Sequence, residues 1–412
     1  MIIGAGIAGS ALAHSLSRTR TTDSSPLRIA LLERSLSTPD RIVGELLQPG
    51  GMQALETMGL TWCTEDIDAI PTKGYCVVYE GKQVHIPYPS GSEGRSFHHG
   101  AFVMQLREAA RRARGVDVIE ATANDFIECP HTGRILGVRA TRKGSNPQEA
   151  SHTECFFAEI TFAADGCYSK FRSSLGNGKR APVTKSQFFG AILDHAPLPL
   201  KNHGTVALIP GSGPVLMYQI GALETRMLVD MKFPLPPDIK GHIENVVVPS
   251  LPLPLQPCVL ESLQKGRLRS MPNSFLPATM QGQSGSKEGL ILIGDAWNMR
   301  HPLTGGGICF FFILLVYLYF SRWLEILGGM TVALNDVVLL TRKLSDFMQA
   351  SPDYKEGSLS ASISVDWDQM SDILKSWHWH RKGLASTMNI LSIALYDLFS
   401  ADGVWCHHYP SG

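Results

Sequence analysis

Three turns built from glycine and an acid hold most of the chemistry this sequence can offer. The first is Gly4-Ala-Gly6-Ile7-Ala8-Gly9, whose spacing fits G-x-G-x-x-G at the start of a helix. Gly4 suits a tight turn, Gly6 lets the backbone approach a pyrophosphate, and Gly9 permits close packing of helix on strand. The run Arg28-Ile-Ala-Leu-Leu-Glu33 reads as the next strand, with Arg34 beside its terminal acid. Glu33 stands where a ribose-binding carboxylate is expected, about 20 residues beyond the glycines; by itself it would be a solvated strand end. The second turn, Asp165-Gly166, closes a β-rich run from Phe156, although a bare Asp-Gly is ordinarily a plain turn. The third, Gly294-Asp295, ends the apolar strand Leu290–Ile293 and precedes Gly305, Gly306 and Gly307. Asp295 can accept hydrogen bonds from sugar-like hydroxyls, and a glycine loop ahead of a helix favours a negatively charged ligand.

Positioning these turns requires strands that end at one edge of a sheet, each feeding a helix. The expected fold class is α/β: a Rossmann-like nucleotide domain, an interleaved β-rich substrate domain and a C-terminal helical segment. The strand before Gly4 has only three residues, short for a central parallel strand. Gly204–Pro210 and Val215–Asp230 alternate like antiparallel strands of the second domain. Their apolar positions suit a greasy substrate and ordinary sheet core equally, and periodicity does not separate the two. Thr19–Pro26 and Lys143–Thr153 read as polar connections, Leu235–Pro257 as irregular because it is Pro-rich, and Gly282–Glu288 as a flexible linker. From Trp367 onward the chain reads as helical.

The length of 412 residues permits two or three domains. A formal net charge of +0 gives no reason to expect nucleic acid or a strongly acidic partner. Eight cysteines without C-x-x-C spacing favour a reduced, cytosol-facing setting over a disulfide framework. Met1 falls inside the first strand, so neither a signal peptide nor an N-terminal membrane anchor is expected. His98-His99, Trp377–His380 and Cys406–His408 lack the spaced four-ligand pattern of zinc, and no metal is expected.

The order of the three turns resembles the single-component, hydroxybenzoate-hydroxylase-like flavoprotein monooxygenases. Longer motifs narrow this. Asp40–Gly51, Lys73-Gly-Tyr75, Phe97–Gly100, Phe102–Arg107, Leu268–Pro277, Asn298–Gly307 and Trp377–Phe399 are similar to squalene monooxygenase (squalene epoxidase) sequences, over nearly all of residues 1–402. The resemblance implies a discontinuous FAD-binding domain (1–40, 100–180, 288–345), a substrate domain (41–99, 181–287) and a C-terminal helical region (346–412). It implies oxygen transfer from a C4a-hydroperoxyflavin to squalene, giving (S)-2,3-oxidosqualene for sterol or triterpenoid synthesis. It implies electrons from NADPH through NADPH–cytochrome P450 reductase, because no second nucleotide fingerprint is present. It also implies the cytosolic face of the endoplasmic reticulum (microsomal) membrane.

By the same resemblance FAD is held by Gly4, Gly6, Ile7, Ala8, Gly9, Glu33, Arg34, Arg41, Arg107, Ala123, Asp165, Gly294, Asp295, Gly305, Gly306, Gly307 and Met330. Tyr75 and Gln48 form an orienting pair near flavin and substrate, and no side-chain acid or base is expected. Leu46, Phe97, Tyr218 and Phe275 are candidate pocket lining, with ordinary core an equal reading for each. The alternatives are an inactive truncated family member and a related flavin monooxygenase acting on another lipophilic substrate.

One stretch departs from the family pattern. There the three glycines run directly into Met-Thr-Val-Ala; here 22 residues, Ile308–Gly329, stand between Gly307 and Met330. Three readings remain open: a gene-model or splicing artefact, an interfacial apolar helix, or an extension of the following helix. The unbroken apolar run Ile308–Phe320 has 13 residues, short of the roughly 20 needed to cross a bilayer. Displacement of the glycine loop would lower flavin affinity. Residues Gly403–Gly412 do not continue the hydrophobic C-terminal helices that attach family members to the membrane.

Overall fold

The computed structural model describes residues 1–19, 26–142, 151–175, 181–266, 268–283, 286–300, 329–350 and 366–399. Five parallel strands form the central sheet, in the order Leu290–Leu292, Thr161–Ala163, Ile2–Ile3, Ile29–Glu33, Val116–Glu120. All three glycine and acid turns leave this sheet at the same edge, because parallel strands end on the same side. The Ile2–Ile3 strand is two residues long, yet it sits in the middle of the sheet with both side chains buried. Flanking strands and helix packing hold it where its own length would not.

Helix α1 (Ile7–Ser17) starts directly after Gly6 and has no side-chain cap at its N-terminus. It is enclosed by the sheet on one side and by two other helices, so that Ala11, Leu12 and Ala13, which point in different directions, are all completely buried. Helix α2 (Pro49–Met58) begins with a proline, whose missing N–H and fixed φ suit a first helical turn. Helix α3 (His99–Arg112) closes the third side of α1 and runs into the Val116–Glu120 strand.

A seven-stranded sheet makes the second layer: Arg269–Phe275, Val183–Asp194, Glu224–Lys232, Val215–Gln219, Gly204–Ala207, Gly74–Tyr79, Lys82–Pro87. Its pairs are antiparallel except Gly204–Ala207 with Gly74–Tyr79, which is parallel. The expected Gly204–Pro210 strand ends at Ala207. The expected Val215–Asp230 segment is two strands joined at Ile220–Leu223. The sheet's outer face is covered by α4 (Gln256–Lys265) and by helical turns at Ile239–Ser250. The structure therefore corrects the irregular reading of Leu235–Pro257. Pro249 and Pro257 occupy the first turns of helical segments, where no N–H is needed.

Helices α5 (Gly329–Ala350) and α6 (Trp367–Phe399) pack on each other, and α5 crosses α1 and α2. The division that assigned all of 41–99 to the substrate half does not follow the packing. Leu47, Leu55, Met58, Leu60 and Phe97 join the core of the nucleotide half, because the apolar face of α2 lies against α5. Tyr75, Val77 and Ile86 belong instead to the sheet core. No helix among the described residues is long and apolar enough to cross a membrane.

Candidate active site

The first turn is shaped by contacts only glycine tolerates. Gly4 has φ +98°, and a Cβ there would lie 2.5 Å from the carbonyl oxygen of Ala164. A Cβ on Gly9 would lie 1.9 Å from the carbonyl oxygen of Gly4. Gly6, by contrast, has nothing within 4 Å of that position and lines a cavity of about 460 Å³ with Ile7 and Ala8. The backbone N–H groups of the uncapped first turn of α1 are thus available to an anion. Glu33 ends its strand half-buried, accepts from Ala5 N at 2.7 Å and pairs with Arg107 at 3.6 Å. Among the described residues, its second oxygen accepts a 3.3 Å bond from Ser35 N.

Arg107 is buried, and its donors go to Ala5 O at 2.8 Å and Ser37 O at 2.9 Å. It therefore braces the glycine loop from behind. Arg34 is exposed at the strand end. Ala123 lies buried on the Thr122–Glu128 strand, in the three-stranded sheet below Glu33.

The second and third turns meet the first. The Cβ position of Gly9 lies 3.3 Å from Ala164 Cβ, and that of Gly294 lies 3.0 Å from Ala8 Cβ. Asp165 stands at the strand end beside Gly4 but accepts from Lys170 N at 3.2 Å, so one oxygen of its carboxylate secures its own turn. Burial raises its pKa. Asp295 lines the cavity, and burial raises its pKa although Arg41, Arg300 and Arg172 all oppose the shift. Arg172 clasps the two turns together. It donates to the carbonyl oxygens of Cys167 at 3.0 Å, Asp295 at 2.9 Å and Ala296 at 2.8 Å. Arg41 lines the same cavity and donates to Cys167 Sγ at 2.9 Å.

The cavity continues into the seven-stranded sheet. Its far wall is Leu46, Leu216, Tyr218, Leu228 and Met271, with Met330 and Ala333 from α5. A cleft with polar backbone at one end and aliphatic side chains at the other suits a dinucleotide next to an oily substrate. Leu46 and Tyr218 are among the expected lining. Phe97 is not: it is fully buried in the nucleotide core, with its ring 4.4 Å from Phe102. Phe275 is only partly buried on its edge strand opposite Val183, and its neighbour Ser274 faces the cavity instead. Gly305, Gly306, Gly307 and Ile308–Gly328 lie outside the described residues; Gly329 already belongs to α5.

Tyr75 and Gln48 meet, with a third partner. Gln48 Nε2 donates to Tyr75 Oη at 2.6 Å, and Tyr88 Oη donates to Gln48 Oε1. The two phenol rings stand edge to face, 5.8 Å apart. Burial pushes the Tyr75 hydroxyl up to about 12 and that of Tyr88 well above its usual value, so both keep their protons at neutral pH. Next to them, Glu45 is gripped by Arg226 through two 2.8 Å bonds and touched by Tyr218 Oη at 3.4 Å. His99 lines the cavity and donates from Nδ1 to Gly44 O at 3.0 Å. Burial holds its pKa down to about 4, although the Gly44 carbonyl opposes this.

Sequence reasoning missed Tyr88, Arg172, Arg226 and Arg381. The last fastens α6 to the third turn. Its guanidinium holds Asp336, reaches Asn298 Oδ1 at 3.2 Å and lies 4.3 Å from the Trp297 ring centroid. Trp297 stacks on Trp377 at 4.6 Å. No signal marked these residues in advance except that Trp377 and Arg381 lie one helical turn apart.

Comparison with known proteins agrees with this geometry. The family described as squalene epoxidase matches residues 157–324 and 313–409, two stretches that overlap inside the apolar segment. Squalene epoxidase erg1 of Aspergillus fumigatus is 44% identical over 427 residues, covering 100% of this chain and 77% of that protein. Erg1 of Schizosaccharomyces pombe is 36% identical, covering 100% and 80%. Squalene monooxygenase of Mus musculus is 38% identical, covering 97% and 62%. Among solved structures, PqsL of Pseudomonas aeruginosa, assigned as an FAD-dependent monooxygenase, superposes with TM-score 0.70 at 17% identity, covering 97% and 96%. A 2-methyl-3-hydroxypyridine-5-carboxylic acid oxygenase gives 0.64 at 17%, covering 98% and 92%. These structures share the fold.

Proposed function

This chain belongs to the squalene epoxidase family, and from that premise we infer how its own residues serve an FAD- and O2-dependent epoxidation of squalene. Squalene is a hydrocarbon polyene with no acidic proton and no carbonyl. General acid–base or nucleophilic catalysis by side chains has nothing to act on. FAD, when bound, supplies the redox chemistry that activates dioxygen. The protein holds the cofactor, orients the polyene and excludes water.

The observation that carries this reading is the convergence of Gly6, Asp295 and the aliphatic wall around Leu46 and Leu228 on one cavity. The fit for FAD rests on the same place. Gly6 leaves open space where a side chain would fill the pyrophosphate cradle. The Gly4–Gly9 turn and the first turn of α1 take the phosphates, and Arg107 keeps that turn in shape. Glu33, through the oxygen that accepts from Ser35 N, takes the adenosine ribose, and Asp295 the ribityl hydroxyls. Gln48, Tyr75 and Tyr88 form a protonated, mutually bonded cluster that sets the position of the cavity's sheet side. They move no proton in the reaction.

The electrons come from NADPH through a separate NADPH–cytochrome P450 reductase, because the described fold carries a single glycine fingerprint. The site of action is the cytosolic face of the endoplasmic reticulum, where an oily substrate partitions into the bilayer. Support for both lies in the family and in the substrate's chemistry.

Purified full-length chain, reconstituted with FAD, reductase, NADPH and squalene in detergent or vesicles, should show a flavin spectrum and form 2,3-oxidosqualene by mass spectrometry. A protein that binds FAD but makes no oxidosqualene would sink the substrate assignment. Co-flotation with phospholipid vesicles tests the membrane, and a protein that stays entirely at the bottom of the gradient refutes it.

A further inference from the structure

Four arginines surround the cofactor end of the cavity, and three are engaged with the turns themselves. Arg107 holds Ala5, Ser37 and Glu33. Arg172 holds the carbonyls of Cys167, Asp295 and Ala296. Arg41 bonds Cys167 Sγ. Arg300 differs. It is 8% exposed and lines the cavity. Among the described residues its hydrogen bond runs from Nη2 to Asn298 Oδ1, and its buried Nε has no partner.

The charge on Arg300 is also poorly compensated. Burial and the neighbouring Arg381 pull its pKa down to about 10, against the pull of Asp336 and Asp295. Asp336 already gives both oxygens to Arg381. A buried donor left without an acceptor is destabilising, and more so when it carries charge. Such an orphan in a cavity wall points to an acceptor that arrives with the ligand.

The order of the turns says which part of the ligand that is. The Gly4–Gly9 turn and α1 mark the phosphate end, and Asp295 the sugar-alcohol segment. Arg300 lies beyond Asp295, just past the Leu276–Met299 bridge that joins this loop to the seven-stranded sheet. That is the junction where the ring system meets the substrate half.

We propose that Arg300 contacts the isoalloxazine ring and stabilises its reduced, negatively charged form. This rests on the FAD reading above. Reduction adds two electrons and one proton from the donor, leaving one negative charge on a ring that was neutral. A fixed guanidinium therefore favours the reduced state over the oxidised one. Asn298 is a positioning residue, since its Oδ1 accepts from both Arg300 and Arg381.

The test uses the full-length, FAD-loaded protein and its Arg300→Met and Arg300→Lys variants. Fluorescence quenching gives the affinity for oxidised FAD, and dithionite titration against an indicator dye gives the midpoint potential. Arg300→Met should bind oxidised FAD nearly as well as the parent. Its preference for reduced flavin should fall about tenfold, a shift of about 30 mV to more negative potential for a two-electron couple. Arg300→Lys should retain most of the parent's potential. An unchanged potential in Arg300→Met overturns the proposal, whether or not affinity falls, because an equal loss in both states places the guanidinium on the phosphates. If Arg300→Met does not fold, Arg300→Gln is read the same way. A parent protein that takes up no FAD is a different outcome, and it removes the cofactor reading itself.

Discussion

Arg381 on α6 donates to both oxygens of Asp336 on α5, each at 2.7 Å, with both side chains almost fully buried. The same guanidinium lies over Trp297, two residues after Asp295. Helix α6 is thereby fixed to the loop that presents Asp295 to the cavity. Breaking the pair leaves a buried charge uncompensated, at a cost of about 3–5 kcal/mol. Arg381→Met and Asp336→Leu should each lower thermal stability strongly, and the double variant should recover most of the loss. Singles that melt with the parent would show that the pair contributes nothing.

The glycine turn separates folding from binding. Gly9→Ala places a methyl 1.9 Å from the Gly4 carbonyl oxygen, so the turn must move and both stability and flavin binding should fail. Gly6→Ala meets no protein atom within 4 Å. Its apo form should melt like the parent while FAD affinity drops at least about tenfold, or about 1.4 kcal/mol. Unaltered affinity in Gly6→Ala would mean that the pyrophosphate does not pass over Gly6.

How much of this was legible follows from distance along the chain. Gly4, Gly6 and Gly9 form a local pattern, and Asp295 follows its own strand, so both could be read from neighbours. Tyr88 meets Gln48 across 40 residues, Arg172 meets Asp295 across 123, and Arg226 meets Glu45 across 181. Nothing in the local spacing of an arginine or tyrosine announces such a partner. Phe97 shows the converse: it lies in a recognisable motif, yet the packing of α2 and α3 draws it into the core. Leu235–Pro257 looked irregular because proline was counted without regard to its place in the first turn of a helix.

Tyr75 should matter for position and not for proton transfer. Its hydroxyl receives the Gln48 amide at 2.6 Å, and burial raises its pKa to about 12. Tyr75→Phe removes one hydrogen bond of the buried Gln48 amide, a loss of about 0.5–1.5 kcal/mol. Turnover should fall through poorer substrate placement, while the pH–rate profile keeps its shape. Disappearance of a titrating limb from the profile would make Tyr75 an acid or base after all.

His99 makes stability depend on pH with a definite sign. Its folded pKa is about 4 against an ordinary 6.5, so the unfolded chain takes up the proton first. The contribution is complete above pH 6.5 and is lost as pH falls towards 4, amounting to about 3 kcal/mol. His99→Gln can still donate to Gly44 O and does not titrate. The stability gap between parent and variant should therefore narrow, or change sign, between pH 7 and pH 4.5. Parallel stability curves over that range would show that His99 is not held neutral.

Removing residues 308–329 tests the apolar segment that stands between the three glycines and Met330. The family match comes in two stretches that overlap there, and the deletion joins Gly307 directly to Met330. Met330 lines the cavity, and its Sδ lies 3.7 Å from the Cβ position of Gly44, so helix α5 already starts at the site. With the three glycines brought next to it, their N–H groups and the start of α5 should add to the anion cradle made by α1. The deletion variant should bind FAD more tightly than the parent and epoxidise squalene faster, measured by flavin fluorescence and by product formation. Weaker flavin binding in the shortened chain would instead make the apolar segment a working part of the site.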